Sequence, residues 1–103
     1  MIFLQENLRE FKEYFKDSKM QQKKAEFNHL CKMFSELYEA DIENLENEYE
    51  DDLLLLDNEL LALKLEARKS VKILMEGAKE LKISDEFVDK TLVKYDLKSV
   101  LKN

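Results

Sequence analysis

The chain has 103 residues, which is enough for one domain spanning 1–103, with no proline, a single glycine and 39% charged residues. A β-sandwich or barrel needs glycine and proline at its turns, and a nucleotide-binding α/β fold needs a glycine-rich phosphate loop, so this composition excludes both. We predict an all-α fold: a long antiparallel helical hairpin with short N- and C-terminal helices packed on it, similar to a bundle or coiled coil.

Apolar residues recur at helical spacing in four segments. The predicted helices cover residues 4–17, 19–50, 52–82 and 85–101. The first has one apolar face, formed by Leu4, Leu8, Phe11 and Phe15.

Capping residues indicate where two of these helices begin. Ser18, followed three residues later by Gln21, predicts a capping box before the segment 19–50. Ser84 is a suitable N-cap for the last helix, and Ile83 is placed to pack on Val88.

The two long segments form either one continuous helix or a hairpin. Their apolar phase continues at about 3.6 residues per turn through Asp51 and Asp52, which allows a single helix about 90 Å long. However, Asn47 and both aspartates are suitable caps, and a turn between helices needs only two to five residues. We favour the hairpin.

Charge is separated along the chain. Residues 33–63 contain eleven acidic residues and no Lys or Arg, whereas the flanking segments 1–32 and 64–103 are net positive. Ordinary helix faces alternate sign, so this block indicates an acidic surface for a basic protein partner, or a surface kept from self-association. The predicted acidic surface consists of Glu43, Glu46, Glu48, Glu50, Asp51 and Asp52. The alternative is a solvated acidic face without a partner.

The long segments extend further than the short helices can cover. Each long segment measures about 45 Å, whereas the terminal helices measure about 20–25 Å. If the short helices pack at the open end of the hairpin, the leucines at the other end stay exposed and mark an association site. The predicted interface consists of Leu53, Leu54, Leu56, Leu60, Leu61, Leu63 and Leu65. We therefore expect a homodimer or a complex with another protein.

No residue pattern supports catalysis, so we expect no enzyme and no catalytic, cofactor-binding or metal site. Glu26 and His29 have the Glu-x-x-His spacing of di-iron bundles, but on a helical wheel both lie off the apolar face. Cys31 stands two residues from this only histidine, and residues so spaced on a helix do not face each other.

The same single cysteine cannot form an internal disulfide, and the longest apolar run is four leucines. We therefore expect a cytoplasmic protein without a signal peptide, a membrane span or a membrane partner.

A DNA-binding regulator is the alternative. The spacing of Ala78, Leu81, Ile83 and Val88 resembles the buried positions of a helix-turn-helix motif. The resemblance implies that residues 78–95 bind DNA and that Lys90, Lys94 and Lys98, at i,i+4 spacing, contact phosphates. Two features differ from the motif: Lys82 stands where glycine is usual, and acids open the second helix. We prefer a non-enzymatic interaction module, such as an adaptor, a chaperone-like protein or an inhibitor, over this alternative.

Overall fold

The structure, a computed structural model, describes the backbone of residues 5–102 and the side chains of residues 8–102. The described chain forms four α-helices, α1 (Gln5–Tyr14), α2 (Met20–Glu48), α3 (Leu53–Glu80) and α4 (Asp85–Lys94), and then a 3-10 helix at Lys98–Leu101. No strand occurs in this range, and α3 packs against the other three α-helices. The all-α prediction is confirmed.

A tight turn separates α2 from α3, so the long segments form a hairpin and not one continuous helix. The N–H of Tyr49 donates to the Leu45 carbonyl at the end of α2, and the N–H of Asp52 donates to the Tyr49 carbonyl. Oδ1 of Asp52 then accepts a hydrogen bond of 3.1 Å from the N–H of Leu55, which makes it the N-cap of α3. One aspartate therefore starts the second helix of the hairpin.

The short helices pack at the open end of the hairpin, far from this turn. The ring of Phe27 in α2 lies 6.3 Å from that of Phe11 in α1 and 6.4 Å from that of Phe87 in α4, measured between centroids. Oη of Tyr95, just after α4, donates to Oδ1 of Asn28 at 3.0 Å. These contacts attach both short helices to the first half of α2.

The hydrophobic core lies at the same end. Its buried members are Leu8, Phe11, Phe27, Cys31, Phe34, Ala67, Val71, Leu74, Ala78, Leu81, Ile83, Val88, Leu92, Leu97 and Val100. In the half of the hairpin near the turn, Leu63 is the only buried apolar side chain among the described residues. The core therefore leaves the turn end of the hairpin thinly packed.

The N-cap of helix α2 lies one residue after the predicted cap. Its N-cap is Lys19, whose N–H donates to Oε1 of Gln22 at 3.3 Å, whereas Ser18 closes the turn after α1 through its N–H and the Phe15 carbonyl. A lysine side chain carries no acceptor, so only one half of a capping box forms. Helix α1 ends at Tyr14 and not at residue 17, and the predicted contribution of Leu4 lies outside the described residues.

The predicted helix over 85–101 begins as expected and ends early. Oγ of Ser84 accepts from the N–H of Phe87 at 3.3 Å, which confirms the predicted N-cap. Helix α4 ends at Lys94, and Asp96 adopts a φ of 57°. The N–H of Leu97 then donates to the Leu92 carbonyl at 2.8 Å, as in a Schellman motif, and the chain continues as the 3-10 helix.

Arg68 of α3 holds this last segment in place. Its Nε donates to the Val100 carbonyl and its Nη2 donates to the Lys102 carbonyl, both at 3.0 Å. A planar guanidinium can satisfy two neighbouring carbonyls at once, so one side chain fixes the C-terminal turn against α3.

Candidate interaction surface

The predicted interface leucines lie on two different sides of α3. Leu63 is only 8% exposed, and Leu56 and Leu60 are half-buried. These three therefore serve mainly the packing of the hairpin, and the inclusion of Leu63 in an exposed interface is corrected. The physical reason is that α3 needs one apolar side to hold α2, and the leucines at this spacing supply it.

The other predicted leucines remain exposed. The exposed fractions are 70% for Leu53, 75% for Leu54, 57% for Leu61 and 46% for Leu65. Leu54, Leu61 and Leu65 lie about 180°, 160° and 200° around the helix from Leu63. They form one surface, the leucine face, on the side of α3 that points away from the core. Leu55, which the sequence did not single out, is 38% exposed beside it.

The predicted acidic surface is solvent-exposed in full. All six predicted residues are exposed, and none forms an ion pair with another residue of the described range. The charge of Glu48 raises the pKa of the neighbouring Tyr49 phenol, because a nearby carboxylate disfavours a second negative charge. The turn end of the hairpin therefore presents negative charge directly beside the leucine face.

Sequence reasoning missed an acidic cleft on one side of the hairpin. It has a volume of about 280 Å³ and lies between α2 and α3. Its lining residues are Asp41, Asn44, Leu45, Glu59, Ala62, Leu63 and Glu66. Three carboxylates surround an apolar floor, so the negative surface continues from the turn along the hairpin. These acids lie on two separate helices, so their spacing in the sequence does not indicate the cleft until the pairing of the helices is known.

The lysine row of the DNA-binding alternative is broken in the structure. Lys90 forms an ion pair of 3.0 Å with Glu86, and Lys98 forms one with Asp89. Lys98 also lies beyond the end of α4, so the predicted i,i+4 row is not on one helix. Nζ of Lys94 lies 5.3 Å from the centroid of the Tyr95 ring.

The four apolar residues that resemble the buried positions of a helix-turn-helix motif are buried in the structure, as the resemblance implies. Ala78, Leu81, Ile83 and Val88 all belong to the core. The corner between α3 and α4 therefore buries the expected side chains, while two of the three lysines already pair with acids of the same chain. Whether the corner binds DNA stays a prediction.

The residues considered for catalysis do not come together. His29 is exposed, and Cys31 is fully buried in the core, where burial raises the pKa of its thiol to about 12. Within residues 5–102, no group of three His, Cys, Asp or Glu side chains is arranged to hold a metal ion.

The fold and the surface define a helical hairpin bundle whose leucine face adjoins an acidic turn. No protein-family model, curated protein or solved structure matches the chain. None of the described helices combines the length and the apolar character that crossing a membrane requires.

Proposed function

We propose that this chain is a non-enzymatic protein–protein interaction module that associates through the leucine face of α3. The observation that carries the proposal is the exposure of Leu54, Leu61 and Leu65 on one side of a helix whose opposite side is buried. Scattered exposed leucines are common, but aligned leucines form a face onto which an apolar helix can pack.

Burial of the leucine face supplies the apolar part of the binding energy. Burying an exposed leucine side chain contributes about 1.5–3 kcal/mol, and the leucine face offers three that are each about half or more exposed. Part of this energy offsets the loss of freedom on association. The module thus acts by binding, in the manner of an adaptor, a chaperone-like protein or an inhibitor.

The acidic surface gives this association its charge preference. Eleven acids without a basic residue in 33–63 attract a positively charged surface and repel an acidic one. Such charges act mainly on the association rate and on the choice of partner. We expect the partner to present basic residues around an apolar helix face. We also place the module in the cytoplasm, because a single cysteine forms no internal disulfide and so needs no oxidising compartment.

A capture experiment with matched variants tests the proposal. The tagged chain, its Leu61→Asp variant and its Val93→Asp variant are incubated with a mixture of native cell lysate and untagged copies of the same chain. Val93 is 59% exposed on α4, so its variant introduces the same charge at an equally accessible apolar site away from the leucine face.

We expect the wild type and Val93→Asp to retain the same protein, whether a lysate protein or the untagged copy, and Leu61→Asp to lose it. Retention should also fall when salt is raised from about 50 mM to about 500 mM, because salt screens the acidic surface. If no protein is retained in a manner sensitive to Leu61→Asp, the proposed function is wrong.

A further inference from the structure

We infer that the partner of the leucine face is a second copy of this chain, bound so that the two α3 helices run antiparallel. The inference rests on the proposed function and names the partner of the same surface. It is supported by the spacing of the face, by the charges along one of its edges and by the charges at its two ends.

The leucine face has the spacing of a coiled-coil seam. Leu54, Asn58, Leu61 and Leu65 follow each other at intervals of four, three and four residues, and Asn58 is exposed as well. In an antiparallel pair, Leu54 of one copy packs on Leu65 of the other, and Asn58 packs beside Leu61. The seam therefore matches an identical seam that runs in the opposite direction. Every leucine in it packs on an apolar neighbour or on the aliphatic part of Asn58.

One edge of the seam carries opposite charges two helical turns apart. Asp57 and Lys64 flank the seam on the same side, and neither forms an ion pair with another described residue. In the antiparallel pair, Asp57 of one copy faces Lys64 of the other, and the contact occurs twice. A parallel pair would instead place Lys64 against Lys69 and Asp57 against Ala62. The charges therefore select the antiparallel orientation.

The other edge of the seam is apolar. Leu55 and Ala62 are both exposed there. In the antiparallel pair, Leu55 of one copy faces Ala62 of the other, and this contact also occurs twice. The dimer has in this way one charged edge and one apolar edge, which fixes the rotation of the two helices about the seam.

The ends of the seam complete the complementarity. The acidic turn, with Glu50 and Asp51, precedes the leucine face, and the exposed Lys69 and Lys72 follow it. An antiparallel pair brings the acidic turn of one copy beside these lysines of the other. The segment 64–103, with ten Lys or Arg and seven acids, is net positive. The basic surface that the acidic turn requires is therefore present in a second copy.

Charge reversal tests both the partner and the orientation. The dissociation constant of the purified full-length chain is measured by sedimentation equilibrium for the wild type, Asp57→Lys, Lys64→Asp and the double variant. We expect each single variant to weaken the dimer about tenfold, because two attractive contacts become repulsive, and the double variant to return within about threefold of the wild type. Thermal unfolding followed by circular dichroism verifies that each variant is folded.

Other results of these experiments would contradict the inference, the proposed function or both. If Lys64→Asp strengthens the dimer, the helices are parallel, because that change would remove a contact between two lysines. If the purified wild type stays a monomer at about 1 mM while Leu61→Asp still abolishes capture of another protein, the inference is wrong and the proposed function holds. If neither self-association nor sensitive capture occurs, both fail.

Discussion

The ring of Phe11 in α1 packs directly on the backbone of Gly77 in α3, the only glycine of the chain. A Cβ atom on residue 77 would lie 3.0 Å from Cδ2 of Phe11, which is tighter than the usual packing distance between carbon atoms, so the ring would have to shift. The glycine lies inside a helix without a positive φ, so it provides space and not an unusual backbone conformation. It gives up about 1 kcal/mol of helix propensity relative to alanine so that α1 can approach α3.

Gly77→Val should therefore lower the free energy of unfolding by about 2 kcal/mol, because its side chain overlaps the Phe11 ring. In a Phe11→Ala background the overlap is absent, and Gly77→Ala should there raise the free energy of unfolding by about 1 kcal/mol. Urea denaturation measures both changes. The neighbouring exposed site serves as control: Glu76→Val should change stability by about 0.5 kcal/mol or less. Equal effects of valine at 76 and 77 would contradict the role of the contact.

Lys82 ends α3 in a backbone conformation that favours glycine. Its φ is 64°, and the N–H of Ile83 donates to the Ala78 carbonyl at 3.0 Å in a Schellman motif. Since a side chain in this conformation costs about 1 kcal/mol, Lys82→Gly should stabilise the protein by about that amount in urea denaturation. The same change within the last turn of α3, Lys79→Gly, should destabilise it by up to about 1 kcal/mol. A loss of stability in both variants would contradict the prediction.

The corner between α3 and α4 should not hold DNA. Two of its lysines pair with Glu86 and Asp89, and the first turn of α4 carries acids that phosphates repel. We expect no retention of the chain on a nonspecific duplex at about 50 mM salt, where attraction to phosphate is strong. The double variant Glu86→Gln with Asp89→Asn removes the acids that pair with Lys90 and Lys98. It serves as the comparison in which both lysines are available to phosphate. Retention of the wild type, lost in Lys90→Gln and Lys98→Gln, would support the regulator.

The scarcity of glycine and proline predicted the all-α fold, and the apolar periodicity located the helices, because side chains on a helix recur on one face whatever they pack against. Capping chemistry placed the N-cap Ser84 and offered Asp52 as one of three candidates, since the side-chain oxygens of these residues bind backbone N–H groups locally. The end of α4 was missed, because Asp96 is not a residue type that by itself indicates a helix end in a left-handed conformation.

The candidate surface was predictable only in part. Exposure of Leu54, Leu61 and Leu65 followed from the length of α3 against the short helices, but α3 carries apolar residues on two sides. Periodicity does not reveal which side packs on α2, so Leu63 was assigned to the surface although it is buried. The acidic cleft depends on the pairing of two helices, which local sequence does not specify.

The buried thiol of Cys31 should make stability depend on alkaline pH. Burial raises its pKa from the ordinary value of 9.0 to about 12. Between these values the unfolded chain loses the thiol proton while the folded chain keeps it, so the free energy of unfolding falls as pH rises through this window. Below pH 9 the contribution is complete and does not vary.

Cys31→Ala should remove this dependence. The variant should be about 1 kcal/mol less stable at pH 8, because a small cavity replaces the sulfur, but its stability should decline less steeply between pH 9 and pH 10.5 than that of the wild type. Urea denaturation at several pH values in this range measures both slopes, and deprotonation of lysines and tyrosines affects both proteins alike. Parallel curves for the two proteins would show that the folded chain does not shield the thiol from ionisation.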